Sequence, residues 1–207
     1  AIDKLAFEFT RADSLELTEI KWVVDDYIEA DSLAQVFGDP GGGKSFVAID
    51  LACCVATGKP WHGHDVKQGS VFYIAGEGHN GLARRLKAWQ IGNGTTLAGI
   101  PLYKSHRAAQ LYDATEAAVV AEAIKQLSAE ANCIPSMIVI DTLARNHGGD
   151  ENSTQDMNAF IQHLDVYLRQ PWKCCVMVVH HSGVADKDRS RGSTALKGAL
   201  DAEYKCQ

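Results

Sequence analysis

Residues 38–45 read GDPGGGKS and fit the pattern G-x-x-x-x-G-K-[ST] at every required position. The apolar run 33–37 precedes them and a helical pattern begins at Lys44, which is the strand–loop–helix context that this pattern requires. Glycines allow backbone N–H groups to converge on phosphate oxygens, and the N-terminus of the following helix adds a partial positive charge. The segment therefore predicts a site for the phosphates of a nucleotide.

The two polar side chains at the end of this loop have separate expected roles. Lys44 is expected to reach the β- and γ-phosphates, and the Ser45 hydroxyl to bind Mg²⁺. ATP and Mg²⁺ are therefore the expected cofactors. The residues expected to contact them are those of the loop and the first helical turn: Gly38, Asp39, Pro40, Gly41, Gly42, Gly43, Lys44, Ser45 and Phe46.

Apolar runs of strand length alternate along the chain with longer segments of helical periodicity. The predicted strands are 33–37, 71–75, 102–105, 137–141 and 174–180, and the predicted helices are 44–57, 81–91, 114–131 and 154–169. Mostly continuous apolar strands are typical of a sheet that is covered on both faces. The alternation predicts an α/β fold with a mostly parallel central β-sheet flanked by helices on both faces.

Two carboxylates follow predicted strands, where a parallel sheet presents its ligand-binding residues. Asp141 ends the run MIVI and is expected to orient Mg²⁺, directly or through water. Glu77 lies between Gly76 and Gly78 after the strand 71–75. A carboxylate held there could act as the base that orients a water for attack on the γ-phosphate, so Glu77 is the candidate catalytic base, with a solvated loop residue as the alternative.

Adjacent histidines, His180 and His181, end another predicted strand. An imidazole there could donate a hydrogen bond to the γ-phosphate and couple its loss to the loop that follows. Successive strand residues point to opposite faces, so only one of the two can face the nucleotide, and His180 is the preferred candidate. The remaining histidines offer no convincing zinc ligand set.

The net charge of −6 argues against a chain coated in basic surface, but the charge is uneven. Residues 1–32 contain nine acidic and three basic residues, and the rest of the chain is neutral. The predicted division is an acidic N-terminal segment, 1–32, packed on a nucleotide-binding domain, 33–207. Within that domain the segment 184–197 has a local excess of positive charge, from Lys187, Arg189, Arg191 and Lys197. It fits either a loop that follows a phosphate backbone or a solvated surface loop.

Other classes of protein are disfavoured. The longest apolar runs have six residues, too few to span a bilayer, and the N-terminus lacks the apolar core of a signal peptide, so no membrane association is expected. Six cysteines with two adjacent pairs and no C-x-x-C indicate buried reduced thiols and a cytoplasmic location.

Together these residues resemble the RecA-like ATPase core, and within it the RepA-type plasmid and phage replicative helicases and their AAA-family relatives. The similar stretches lie between Ile20 and Tyr204: GDPGGGKSFVAIDLA, GKPWHG, GSVFYIAGEGHNGLARRLKAW, IVIDTLARNHGGDENSTQDM, VVHHSG and SRGSTALKGALDAEY. The resemblance implies Asp141 as the Walker B acid, Glu77 as the base and His180 as the γ-phosphate sensor.

The resemblance also implies partners. Relatives form homo-oligomeric rings, expected here to be hexameric, and the loops after Asp141 and His181 lie where such motors contact single-stranded DNA. Their active sites lie between subunits and use an arginine finger from the neighbour. Relatives continue past the position of Tyr204 with further strands that can hold this finger, so the chain is expected to be C-terminally truncated. Either Arg189 or Arg191 then serves as the finger, or it is absent.

The expected function is a Mg²⁺-dependent ATPase, as a DNA helicase or translocase of plasmid, phage or prophage replication. One alternative is a KaiC-like or regulatory ATP switch whose hydrolysis ignores DNA. Another is a P-loop kinase, which the absence of an arginine-rich lid segment disfavours.

Overall fold

The computed structural model describes residues 9–17, 19–76, 79–183 and 186–207. Its strands are β1 (Trp22–Val24), β2 (Ile28–Glu29), β3 (Leu33–Gly38), β4 (Ser70–Ala75), β5 (Leu102–Lys104), β6 (Pro135–Asp141), β7 (Cys175–His181) and β8 (Ala202–Cys206). Its α-helices are α1 (Lys44–Thr57), α2 (His79–Asn93), α3 (Ala114–Ala131), α4 (Leu143–Asn146), α5 (Thr154–His163) and α6 (Ala195–Ala199), with a 3₁₀ turn at Ala12–Ser14 and a π-helical segment at Leu164–Arg169.

Six parallel strands form the central sheet in the order β5-β4-β6-β7-β3-β8. The strand that leads into the glycine-rich loop, β3, is separated by β7 from the strand that ends at Asp141, β6. In the register of these strands Gly38 pairs with His181, and Asp141 pairs with Val179. The ends of β3, β6 and β7 therefore meet at one edge of the sheet. The predicted α/β fold with a parallel sheet between helices, a RecA-like core, is confirmed.

Two apolar layers cover the sheet, and strand alternation divides the side chains between them. One layer contains α1, α2, the β1–β2 hairpin and the odd-numbered β7 residues Cys175, Met177 and Val179. The other contains α3, α5, the π-helical segment and the even-numbered residues Val176 and Val178. Because both faces are covered, the central strands contain the continuous apolar runs seen in the sequence.

The structure contains elements that the sequence pattern did not predict. The sixth strand, β8, has the sequence AEYKC and lies at the outer edge beside β3, where an alternation of polar and apolar residues is tolerated. The helix predicted over 154–169 begins as predicted but changes to π-helical geometry at Leu164.

The turn GKPWHG is attached to α1 by one carboxylate. Asp50 accepts hydrogen bonds from the indole nitrogens of Trp61, at 3.0 Å, and Trp89, at 2.7 Å. These bonds connect α1, the turn and α2. They therefore fix the middle of α1 against the turn and α2.

Residues before β3 divide into two parts. Val23, Val24 and Ile28 of the β1–β2 hairpin are at most 2% exposed and belong to the layer of α1. Residues 9–17, 19 and 20, called the N-terminal arm below, are exposed.

Among the described helices, none combines the length and apolar character that crossing a membrane requires. All six cysteines are free thiols.

Candidate nucleotide-binding site

The glycine-rich loop joins β3 to α1 through backbone that favours glycine. Gly41 and Gly43 have φ values of 79° and 89°, in the left-handed region where a Cβ is strained. Gly43 is also the N-cap of α1, whose first backbone N–H groups have no partner within the helix. A Cβ on Gly38 would overlap the carbonyl oxygen of Cys206 in β8. The loop therefore follows a backbone path that favours glycine and leads directly into the first turn of α1.

The Lys44 side chain crosses beneath this loop. Its ammonium donates to the carbonyl oxygens of Gly38, at 3.0 Å, and Asp39, at 2.7 Å, and the residue is 5% exposed. Burial lowers the pKa of Lys44, while the nearby Cys206 and Asp141 act in the opposite direction. A phosphate in the loop would supply the negative charge that compensates the buried ammonium.

A cleft of about 440 Å³ opens beside the loop. Its walls come from the loop and the start of α1, from α2, and from the ends of β6 and β7. The lining residues are Pro40, Gly41, Gly43, Lys44, Ser45, Phe46, Arg85, Asp141, Thr142 and His181. The structure therefore places Lys44, Ser45, Phe46 and Asp141, all predicted from the sequence, around one cavity.

Asp141 is oriented by a tyrosine of the neighbouring strand. The Tyr73 hydroxyl donates to Asp141 Oδ2 at 2.5 Å. Burial and the adjacent Asp141 carboxylate raise the pKa of Tyr73, so the phenol stays protonated and remains a donor. One carboxylate oxygen is thereby held, and the carboxylate is aligned at the cleft.

The donor set fits Mg²⁺. This ion binds through one or two protein oxygens together with phosphates and waters, and the Ser45 hydroxyl and the Asp141 carboxylate line the same cleft. Among the described residues there is no group of three or more His, Cys, Asp or Glu side chains that could hold a metal without such help. The ion would therefore be shared between these two residues and a nucleotide.

Glu77, the candidate base, lies outside the described residues. The chain immediately before it is fixed: Ala75 pairs with Asp141 in the sheet, and the Gly76 amide donates to the Asp141 carbonyl at 2.6 Å. A Cβ on Gly76 would overlap the side chain of Arg145 in α4, so only glycine fits this close approach. The strand end before Glu77 is thus tied directly to the residue expected to orient Mg²⁺.

The two histidines occupy opposite faces of β7. His181 lines the cleft. His180 points to the other face, is fully buried, and its Nε2 lies 2.7 Å from the carbonyl oxygen of Arg191. The sequence-based preference for His180 as the histidine that faces the nucleotide therefore disagrees with the observed alternation. Val179 is the register partner of Asp141 and lies two residues before His181 on β7. Side chains two residues apart share a face of the sheet, so His181 is on the same face as Asp141.

His180 instead attaches the sheet to the segment after β7. Burial lowers its pKa to about 4, so the imidazole is neutral near pH 7 and its Nε2–H donates to the Arg191 carbonyl. Among the described residues its Nδ1 has no hydrogen-bond partner. The hydrogen bond to the Arg191 carbonyl and the charge of Glu151 act in the opposite direction and raise the pKa of His180, but burial dominates.

The buried neutral His180 predicts an acid-sensitive fold. Between about pH 6.5 and pH 4 the unfolded chain binds a proton at this residue and the folded chain does not, so the free energy of unfolding falls as the pH falls. From pH 7 to pH 5 this residue should contribute a loss of about 2 kcal/mol. Urea unfolding measures this free energy at both pH values. Between pH 7 and pH 5 the wild type should lose about 2 kcal/mol more of it than His180→Gln, in which the glutamine amide still donates to the Arg191 carbonyl. An equal loss in both proteins would contradict the assignment.

Arg85 is a cleft residue that sequence reasoning missed. It lies on α2, and its guanidinium carbon is 4.6 Å from the centre of the Phe46 ring. The cation–π contact holds a positive charge from the same chain beside Lys44 and Asp141. No motif marks it, because its role depends on how α2 packs against α1.

The basic segment after β7 is connected to the glycine-rich loop. Asp39 Oδ1 accepts from Lys187 Nζ at 2.7 Å and from the Ser182 hydroxyl, and these two bonds lower the pKa of Asp39. Arg191 Nε lies 2.5 Å from Glu151 Oε1. Arg189 is exposed. Of the three candidates for a DNA contact or arginine finger, two are thus paired with carboxylates of their own chain.

Residues 3–187 match a family model described as an AAA domain. The chain belongs to this family. Membership in this family indicates an ATPase that binds a nucleotide. The finer resemblance to RepA-type helicases stays a prediction. No curated protein matches the chain significantly.

Proposed function

We propose that this AAA-family chain is a Mg²⁺-dependent ATP hydrolase that acts as a ring-forming helicase or translocase on single-stranded DNA. The observation that carries the hydrolytic part is the convergence of Lys44, Ser45 and Asp141 on one cleft. Phosphoryl transfer needs mainly positioning and charge stabilisation, and this cleft offers both.

Each residue has a defined task in this proposal. The loop amides and Lys44 hold the β- and γ-phosphates, and Ser45 and Asp141 hold the metal. An Mg²⁺ ion held by these two residues would supply positive charge that offsets the negative charge of the phosphates. Glu77 accepts a proton from the water that attacks the γ-phosphorus in line, and the bond to the β–γ bridging oxygen breaks, which yields ADP and phosphate.

Two further donors suit the transferred phosphate. Arg85 brings a guanidinium to the cleft from the same chain, and His181 brings an imidazole from the end of β7. His181 adjoins Ser182, which bonds to Asp39, and His180, which bonds to the carbonyl of Arg191. A change at the γ-phosphate would therefore reach the basic segment through adjacent residues, which supports coupling between hydrolysis and DNA.

One observation favours the alternative, an ATP switch whose hydrolysis does not depend on DNA. Lys187, Arg191 and Lys197 are paired with Asp39, Glu151 and Glu203. A DNA phosphate would have to replace these carboxylates as a partner. Arg189, which is exposed, is the cation of this segment best placed to make the first contact.

ATP hydrolysis with and without single-stranded DNA, over a series of salt concentrations, separates the two functions. A motor should be stimulated by DNA, and the stimulation should fade as salt rises, because counterion release drives phosphate contacts. Arg189→Ala should reduce the stimulation, whereas Lys125→Ala, an exposed lysine on α3, should not change it. Equal hydrolysis with and without DNA at every salt concentration would contradict the motor and support the switch.

A further inference from the structure

The N-terminal arm exposes large apolar side chains. Leu15, Leu17 and Ile20 are 67%, 104% and 57% exposed, and none belongs to either apolar layer of the fold. The hydrogen bonds of residues 11–15 run within the arm, between Arg11, Asp13, Ser14 and their neighbours. An exposed set of apolar side chains on a segment without its own core indicates a surface that is covered by a partner.

An apolar groove lies at the far edge of the sheet. It has a volume of about 480 Å³ and is bordered by β4, the outer strand β5, the segment 105–109 and α3. Its floor contains the stacked rings of Phe72 and Tyr103, 5.0 Å apart, and its wall includes Val119, which is 54% exposed. The groove thus presents apolar surface of the kind that the arm could cover.

The charges of the arm and the groove are complementary. The arm contains the exposed carboxylates Glu16 and Glu19, while its Asp13 is paired with Arg11. The rim of the groove contains Lys104, His106 and Arg107, against one carboxylate, Glu116, which is paired with Arg107. An acidic, apolar segment therefore suits a basic, apolar groove.

The position of the arm argues against docking within the same chain. The hairpin that follows the arm packs in the layer of α1, whereas the groove lies on the opposite face, with Phe72, Ile74 and Ile124. Three strands separate β3 from β5, about 19 Å of sheet. An arm from another copy reaches the groove without crossing from one face to the other.

We propose that the N-terminal arm of one copy docks in the groove between β5 and α3 of a second copy of this chain. Leu15 and Leu17 insert among the apolar residues, and Glu16 and Glu19 face the basic rim. This proposal specifies an interface for the assembly proposed above, and its tests need no ATP turnover, so either proposal can fail without the other.

Cross-linking tests the contact directly. Leu17→Cys and Val119→Cys place thiols on the arm and the groove at exposed positions. After mixing and mild oxidation, a covalent dimer should form only in the mixture of the two variants, and not with either variant alone or the wild type. No dimer in the mixture would overturn the proposal. A cross-link within single chains of the Leu17→Cys/Val119→Cys double variant, persisting on dilution, would assign the groove to the chain's own arm and also overturn it.

Sedimentation provides a second test. Leu15→Ser/Leu17→Ser should weaken self-association about a hundredfold, because two buried leucines are lost from the interface. Ile91→Ser changes an apolar residue of α2 that is 71% exposed, close to the 67% of Leu15; it is the control and should leave self-association unchanged. Unchanged association in the arm variant would contradict the proposal, and an unchanged unfolding curve would show that its fold is intact.

Discussion

Lys44→Ala should abolish ATP hydrolysis, with a loss of about a thousandfold or more. Lys44 is a buried cation whose ammonium lies between the carbonyls of Gly38 and Asp39, directly under the phosphate-binding loop. In the proposed mechanism its removal eliminates the positive charge that would neutralise the β- and γ-phosphates and stabilise the transferring group. Phosphate release measured at saturating ATP and Mg²⁺ checks the expected loss.

The control for this variant is Lys67→Ala, which removes an exposed lysine far from the cleft and should keep wild-type hydrolysis. Thermal unfolding should show that Lys44→Ala is folded, because a buried cation that is costly to desolvate has been replaced by an apolar group. Hydrolysis at the wild-type rate in folded Lys44→Ala would remove Lys44 from the phosphate site.

Glu77→Gln should keep ATP binding and lose turnover by at least about a hundredfold. Glutamine has the same size as glutamate but cannot accept a proton from the attacking water. The two residues before Glu77 are fixed beside the proposed metal ligand, because Ala75 pairs with Asp141 in the sheet and the Gly76 amide donates to the Asp141 carbonyl. A fluorescent ATP analogue would measure binding, and phosphate release would measure turnover.

Glu130→Gln is the matched control, since Glu130 is an exposed glutamate at the end of α3. It should change neither binding nor turnover. If Glu77→Gln hydrolyses ATP at the wild-type rate, another group must activate the water. If Glu77→Gln loses ATP binding as well, the residue acts in binding rather than as a base.

Local patterns were sufficient for most of the fold. The glycine-rich loop could be identified from its motif, because its structure depends on local residues: Gly41 and Gly43 adopt positive φ, and Lys44 begins a helix. The central strands were visible because both of their faces are buried, which produces continuous apolar runs. The outer strand β8 has no such run, since edge position relaxes the pattern, and it could not be identified.

Strand register and helix packing decide which side chains reach the cleft, and the sequence alone does not reveal them. Alternation required that His180 and His181 face opposite sides, but only the pairing of Asp141 with Val179 shows that His181 shares the side of Asp141. Arg85 enters the cleft because α2 packs beside Phe46. Likewise, the positive charges near Arg189 looked available in the sequence, whereas long-range pairing engages Lys187 and Arg191 with Asp39 and Glu151.

The uneven charge also has a structural counterpart. Much of the acidic excess of residues 1–32 lies where side chains are exposed, including Glu16 and Glu19 of the arm. The net charge of the whole chain therefore says little about the surface near the cleft. The basic rim of the groove and the basic segment after β7 are local features, and each has its own proposed partner.

In the proposed mechanism the cleft beside Lys44 and Asp141 holds ATP with Mg²⁺ and hydrolyses it. The most direct measurement is phosphate release by the wild-type chain with ATP, with and without Mg²⁺, beside Asp141→Asn. Phosphate release should require Mg²⁺, stop when a chelator is added, and be strongly reduced in Asp141→Asn. Release that is the same with and without Mg²⁺, or no release from a folded chain, would contradict this mechanism.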